Sequence, residues 1–407
     1  MRAAASPRLR IRIPGKAGRR LAAACMAAAG LRCGDAAADQ LDTLNVVVGA
    51  KVNHESNVLR VPASANPTGD TIKVVYAGLR LDKSYSLQRF QLDYIDTRSR
   101  FTKLRERNTD TIDYQGAWLW SLTPRISGTL EAKQTQALVE ADESQGTARN
   151  LRTTNTRNFS LDGSVFGGWH LLLGANQKKQ LSEAPVFTSA DFQSVGGQAG
   201  AKYEATSGSS VTVNRYWRQG DYINREFDPA TLSDNRYYEN ESELKLAWKA
   251  SGRSVLTGRL AWLARRHEHF AQRDFSGPVG ELGYNWTATG RLTVDVFTKQ
   301  SISATSEPFS SYRVDKILSI TPKLQMTDKV SLDLRFDYSI ADYRGPVVTP
   351  PGPLRRDVLR NAIVTVKWDI SRVASVRANL QRQLRTSNDP SFGFASTSVG
   401  ASADLTF

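Results

Sequence analysis

Residues Val330–Tyr338 read VSLDLRFDY, in which Val330, Leu332, Leu334, Phe336 and Tyr338 alternate without exception with Ser331, Asp333, Arg335 and Asp337. Successive side chains of an extended chain point to opposite faces, so this stretch predicts a strand with one apolar and one polar face. The same period recurs in Gln88–Tyr94, where Phe90, Leu92 and Tyr94 oppose Arg89, Gln91 and Asp93. In Ile126–Lys133, Ile126, Gly128, Leu130 and Ala132 oppose Ser127, Thr129, Glu131 and Lys133. Leu244, Leu246 and Trp248 oppose Glu239, Glu241, Glu243 and Lys245, and Val358, Ala362, Val364, Val366 and Trp368 share a further face. No segment after residue 38 approaches the 18 or more apolar residues of a membrane helix. A barrel hides from hydropathy, because lipid-facing and lumen-facing residues alternate and the mean stays polar.

Connection lengths extend the pattern. Short links are expected near 82–85, 122–125, 167–169, 206–210, 250–253, 287–291, 327–329 and 369–372. Longer polar links fall between them, near 53–69, 97–108, 139–152, 179–191, 219–235, 267–276, 301–311, 341–355 and 384–391. Eight short turns alternating with nine longer loops predict an all-β, antiparallel, up-and-down transmembrane barrel of about 18 strands (16–18), both termini periplasmic. The least regular stretch is 191–218, and Pro322 inside a strand suggests a bulge or a different turn. Trp120, Trp169, Trp248, Trp286 and Trp368 lie close to short turns, while Tyr94, Tyr114, Tyr238, Tyr312 and Tyr338 lie toward the long loops. Two girdles of amphipathic rings fit two headgroup layers. The last residues, Val399–Phe407, alternate Val399, Ala401, Ala403, Leu405 and Phe407, a terminal strand of the kind that barrel-assembly machinery reads. The competing architecture, a periplasmic or extracellular β-sandwich, uses strands of about 5–6 residues and does not keep long and short links in alternation.

The start of the chain reads as a targeting segment. An arginine-rich stretch leads into the apolar run Leu21–Leu31, followed by Ala36-Ala37-Ala38. Residues 1–38 are therefore expected to be a signal peptide, and residues 39–407 the mature outer-membrane barrel. Both cysteines, Cys25 and Cys33, fall in that leader, so no thiol remains for disulfides, metal or nucleophilic chemistry. The formal charge is +14, but eight of the 54 Lys/Arg and only one of the 40 Asp/Glu lie in residues 1–38, leaving +7 of mixed sign. With no basic stripe or reading module, nucleic acid is not an expected partner. Outer-membrane lipid is.

Catalytic chemistry finds little support. His267 and His269 are two apart with no third ligand near in sequence, and are read as an exposed loop start; His54 and His170 sit apart from any nucleophile motif. Asp228, Asp234 and Glu239 are weighed as cation ligands against the plainer reading of a solvated loop. No catalytic residue, metal or cofactor is expected. The lumen is where function should lie, with inward candidates Arg89, Asp93, Glu131, Lys133, Glu241, Lys245, Arg259, Arg265, Asp333, Arg335, Asp337, Arg377 and Gln381. Their mixed charge suits hydroxyl-rich solutes, and equally suits salt bridges that only hold the wall.

Val52–Pro62 (VNHESNVLRVP) resembles the acidic-polar-Asn-apolar-apolar-Arg-apolar-Pro signature after the first strand of EpsL-type proteins. Ala77–Tyr94 (AGLRLDKSYSLQRFQLDY), Trp120–Gln134 (WSLTPRISGTLEAKQ) and Gly167–Gly174 (GGWHLLLG) resemble the same family, outer-membrane proteins associated with exosortase and exopolysaccharide biosynthesis clusters. The resemblance implies an outer-membrane barrel that assists export of an extracellular polysaccharide, passively or gated, together with periplasmic export components. It points to Glu55, Ser56, Asn57 and Arg60 as the motif loop, although the paired acids usual before the Asn are here Glu55-Ser56. A general diffusion porin with loop 219–235 or 341–355 folded inward is the alternative, and an outer-membrane enzyme a second one.

Overall fold

The computed structural model describes residues 43–139, 149–305, 309–346 and 352–407, so the expected signal peptide lies outside the described residues. Eighteen strands form among them. The first nine are β1 (Leu44–Glu55), β2 (Asp70–Tyr85), β3 (Gln88–Phe101), β4 (Thr109–Thr123), β5 (Ile126–Leu138), β6 (Leu151–Phe166), β7 (Trp169–Ser182), β8 (Phe192–Glu204) and β9 (Ser210–Tyr222). The remainder are β10 (Arg236–Ser251), β11 (Ser254–His267), β12 (Phe275–Thr287), β13 (Leu292–Ala304), β14 (Ser310–Gln325), β15 (Val330–Pro346), β16 (Arg356–Asp369), β17 (Ala374–Ser387) and β18 (Phe394–Thr406). Each pairs antiparallel with its sequence neighbours. β1 also pairs with β18, from Val47 opposite Thr406 to Glu55 opposite Ser398, which closes the barrel.

The strand number is as expected, and 191–218 forms two regular strands, β8 and β9, paired from Phe192–Tyr222 to Glu204–Ser210. Strand ends differ. The expected turn at 82–85 lies within β2, and the hairpin turns at 86–87, with Ser86 at φ 53°. Asp82 is not a turn residue because its carboxylate accepts two hydrogen bonds from Arg89 across the ladder, at 2.7 and 2.6 Å. Several long links also start later than expected: β3 runs on through Thr97–Phe101, and β15 through Ala341–Pro346. These strand tops are polar on both faces, which sequence alone reads as loop. Pro322 causes no bulge: Ile320 faces Phe336 and Lys323 faces Asp333, the same register on either side of it.

Alternation now has a geometric meaning. Tyr238, Leu244, Leu246 and Trp248 on β10 are exposed, whereas Glu239, Glu241 and Glu243, of the opposite parity, are buried. In a closed barrel the buried face is the lumen, so the exposed apolar face is the outside. Trp169, Trp248, Trp286 and Trp368 form an exposed row beside the short turns. Tyr94 and Tyr114 stand opposite each other higher up, and Tyr238 and Tyr338 are exposed there too. From Val330, opposite Trp368, to Tyr338 the strand climbs eight residues, about 26 Å along the chain and about 20 Å vertically at a tilt near 40°. That is close to the height of about 25 Å for an outer-membrane apolar band.

The rim at the long links is fastened by Asp and Asn side chains that reach from one connection to the next. Asp70 accepts from the backbone N–H groups of Thr71 (2.6 Å), Leu104 (2.9 Å), Lys103 (3.0 Å) and Thr102 (3.2 Å). Asn150 accepts from Ala184 N (3.2 Å), Asp191 from Ser182 N (2.7 Å) and Asn224 Nδ2 (3.2 Å), and Asp234 from His269 N (2.7 Å) and Phe270 N (3.2 Å). Asn388 accepts from Arg356 N at 2.7 Å. Burial opposes ionisation of Asp70, but the N–H groups of Leu104, Lys103, Thr71 and Thr102 outweigh it and lower its pKa. The group stabilises the rim above its unfolded value, and that contribution is lost as pH falls through its lower folded value.

Two outcomes are expected. Replacing the outward, 62 % exposed Leu260 with Arg should cost about 2–4 kcal/mol of unfolding free energy in lipid vesicles; a neutral effect would contradict a hydrocarbon-facing surface. Asp70→Ala should cost about 1–3 kcal/mol by stranding buried donors. In the native chain, the protection of the Thr102–Leu104 amides, relative to the intrinsic exchange rate at each pH, should fall only below about pH 4.

Candidate lumenal site

Three glutamates at alternate positions of one strand would repel each other inside a barrel, and the neighbouring strands supply the answer in register. Arg218 on β9 and Arg265 on β11 both stand opposite Glu239. Arg265 bonds Glu239 at 2.6 Å, while Arg218 bonds Glu241 at 2.8 Å and Glu239 at 3.4 Å. Arg259 clamps Glu243 at 2.5 Å and also pairs with Glu241. Lys245 (3.0 Å), Asn214 Nδ2 (2.9 Å) and the Tyr216 hydroxyl (2.9 Å) complete the shell of Glu243. Ionised groups at such burial persist only when paired and hydrogen-bonded, and here each glutamate is.

The rest of the wall follows the same rule. Asp93 pairs with Arg80 (3.2 Å), Arg89 with Asp82 (2.6 Å), Arg335 with Asp337 (2.9 Å) and Arg377 with Asp404 (3.0 Å). Glu131 accepts from Gln115 Nε2 (2.7 Å) and Asn158 Nδ2 (3.0 Å), and Asp337 from Ser319 (2.6 Å) and Asn361 (2.9 Å), which in turn accepts from Gln381 (2.8 Å). Lys133 stands opposite Gln115, and Asp333 opposite Lys323. All the expected inward residues therefore occupy the face opposite the exposed apolar one. Between β1–β4 and β16–β18 the wall leaves a cavity of about 640 Å³ bordered by Asn45, Tyr76, Arg80, Asp113, Lys367, Arg377 and Asp404. Sequence reasoning did not single out Arg80, Asp82, Arg218 or Asp404; period two finds their face, but their pairing needs the cross-strand register.

The motif loop has a mechanical role in the structure. Asn57, almost fully buried, donates to Val61 O (2.8 Å) and to Ala395 O (3.1 Å), and Ser56 Oγ accepts from Thr397 N (2.9 Å). Glu55 accepts from Ser396 Oγ (3.2 Å) and lies 3.9 Å from Arg60, whose guanidinium stands over the Phe394 ring. The four residues thus clasp the link after β1 to β18, at the seam that closes the barrel.

The histidines do not converge. His54 meets Thr71 (3.0 Å), His170 meets Asp162 (2.5 Å), His267 lies 3.4 Å from Asp274, and His269 lies 3.1 Å from Asp234. His267 corrects the reading of an exposed pair: its side chain is buried beside Tyr237. Asp228, Asp234 and Glu239 are also apart. Asp228 caps its own loop at Ala230 and Thr231, Asp234 clips the next loop, and Glu239 belongs to the lumenal wall. Among the described residues no group of three or more His, Cys, Asp or Glu could hold a metal ion. Loop 219–235, one of the two candidates for an inward constriction under the porin alternative, forms a link over 223–235 whose Phe227 stacks on Phe270 (5.4 Å) and lies tilted against His269 (4.5 Å) of the neighbouring link.

Fold and site together define a closed 18-stranded antiparallel barrel, apolar outside and polar within, a fold that outer-membrane porin structures share. Residues 253–407, from β11 to the end, match the family described as "Putative beta-barrel porin 2". Among solved structures, the chain is similar to OpdK from Pseudomonas aeruginosa with vanillate, at 11 % identity and a TM-score of 0.51, over 89 % of this chain and 99 % of that one. It is likewise similar to OccK2 (OpdF) from Pseudomonas aeruginosa in complex with glucuronate, at 11 % identity and a TM-score of 0.51, over 90 % and 98 % of the two chains. No curated protein matches the chain in sequence.

If the wall is held by its ion pairs, the double variant Glu239→Ala/Glu241→Ala should strand Arg218 and Arg265 together. Unfolding free energy in detergent or vesicles should fall by about 3–5 kcal/mol. Glu131→Ala, which removes only neutral partners, should cost about 1–3 kcal/mol.

Proposed function

We propose that this chain is a porin-like channel of the outer membrane that passes small polar solutes. The carrying observation is the inversion of polarity across one closed wall: exposed Leu, Val and Trp outside, and paired carboxylates, guanidiniums and amides inside. Barrels of 16–18 strands are wide enough for an aqueous channel. A wall whose charges cancel in pairs hydrogen-bonds solutes without demanding one sign of charge. Vanillate and glucuronate, with which two similar barrels were crystallised, are suitable first solutes to test. In this reading residues 1–38 direct export and are cleaved, the short turns and both termini face the periplasm, and the protein is not an enzyme.

Export of an extracellular polysaccharide, assisted by periplasmic components, is the second reading. It is favoured by the likeness of Val52–Pro62, Ala77–Tyr94, Trp120–Gln134 and Gly167–Gly174 to EpsL-type proteins. The clasp formed by Glu55, Ser56, Asn57 and Arg60 gives that motif a structural use that either cargo would share.

Purified protein in planar bilayers should give stable conductance with weak ion selectivity. Strong preference for one sign of ion, or a bilayer that stays silent with the wild type and with variants that open its mouth, contradicts the porin reading. A deletion strain that still exports normal polymer rules out the polysaccharide cargo and leaves the channel reading intact.

A further inference from the structure

Two seams lose their ladder at the long-loop end: β4–β5 beyond Tyr114–Gln134, where the Asp113, Gln134 and Gln136 side chains bridge the backbones, and β12–β13, where apolar packing takes the place of the ladder. β12 and β13 pair from Thr287–Thr293 only as far as Gly280–Gln300. β12 nevertheless continues to Phe275 against β11, and β13 continues to Ala304 against β14. The cause is in the sequence FSGPVG (275–280). The Pro278 carbonyl faces β13, because it accepts from the Gln300 side chain at 2.9 Å. The N–H and C=O of one residue in an antiparallel ladder point the same way, so the donor that proline lacks is the one owed to β13.

Beyond the break the two hairpins overlap. Ile302 and Tyr312 have the parity of Val294, Val296, Leu318 and Ile320, the outer face of β13 and β14. Yet both pack against Ala261, Leu263, Phe275 and Val279, which belong to the lumenal face of β11 and β12. The Tyr312 and Phe275 rings are 5.1 Å apart, and a Cβ added at Gly277 would lie 2.9 Å from Ile302 Cδ1. An outer face can touch an inner face only if the far end of β13–β14 sits inside the barrel. Gly277 is the residue that leaves room for it.

We propose that this overlapping end of β13–β14 is a gate, a flap seated on the inner wall that narrows the long-loop mouth and swings about the Gly280–Gln300 level. The proposal rests on the channel reading. Its closed state is held by apolar packing; ladder hydrogen bonds tie it to the end of β15, as far as Ser310–Pro346, with which it would move, and none tie it to β12. Moving outward toward the line of the wall would widen the mouth, and Pro278 keeps that position from zipping into a permanent sheet.

The test uses the full-length protein, whose only cysteines are Cys25 and Cys33, with both replaced by Ser and with Gly277→Cys and Ile302→Cys added. Oxidation should form a cross-link visible as a gel shift, and single-channel recordings should then lose the transitions between low and high conductance that return on reduction. Ile302→Asp, which sets a charge in the apolar seat, should favour the high-conductance level while keeping the heat-modifiable migration of a folded barrel. Failure of the cross-link to form, or identical recordings in both redox states, would overturn the gate. If wild type conducts and the oxidised and reduced forms do not differ, the gate alone fails. If wild type is silent and Ile302→Asp conducts, the flap is a closed gate. Silence of every form removes the channel reading and the gate together.

Discussion

The backbone hydrogen-bond ladder between β1 and β18 is the interaction on which the rest depends. In hydrocarbon every peptide group must find a partner within the protein, so a sheet is viable there only when it has no edge. Closure turns the period-two sequence into two environments, since each strand must give one face to the lumen and the other to the outside. The Asn57–Ala395 bond and the Ser56–Thr397 bond secure that seam at the rim, where ladder pairing ends.

A polar lumen is then an electrostatic problem. The strands β9, β10 and β11 solve it by register: carboxylates lie on the middle strand and cations on both flanks. The arrangement leaves almost no unbalanced charge on that part of the wall, which bears on its stability. Elsewhere, side-chain amides such as Gln115, Asn158 and Asn361 satisfy single carboxylates. Pairing is interrupted at the long-loop end of β4–β5 and again near Pro278, where the overlapping β13–β14 end covers the break with apolar side chains.

Much of this was legible in the sequence, and the parts that were not share a cause. Val330–Tyr338 announces its two faces, and the alternation of short and long links carries the strand number. The tops of β3 and β15 read as loop in the sequence because polar residues stand on both faces there and the period loses its contrast. Partners such as Arg218 for Glu241, or Asp404 for Arg377, depend on a register that no single strand encodes. The prolines show the same limit. Pro322 looked disruptive, yet the ladder keeps its register past it, whereas Pro278, unremarked, stops the pairing of its strand. Which neighbour is owed the missing N–H decides the outcome, and that is a property of the folded sheet.

The central claim is that the exposed apolar face meets acyl chains. It is tested most directly with a variant that retains only Trp262, an outward residue 57 % exposed on β11, reconstituted into vesicles containing lipids brominated along the acyl chain. Strong quenching of its fluorescence by the brominated tails, with little quenching by iodide in the water, is the expected result. Quenching by iodide and not by the brominated lipid would place this face in water and contradict the account.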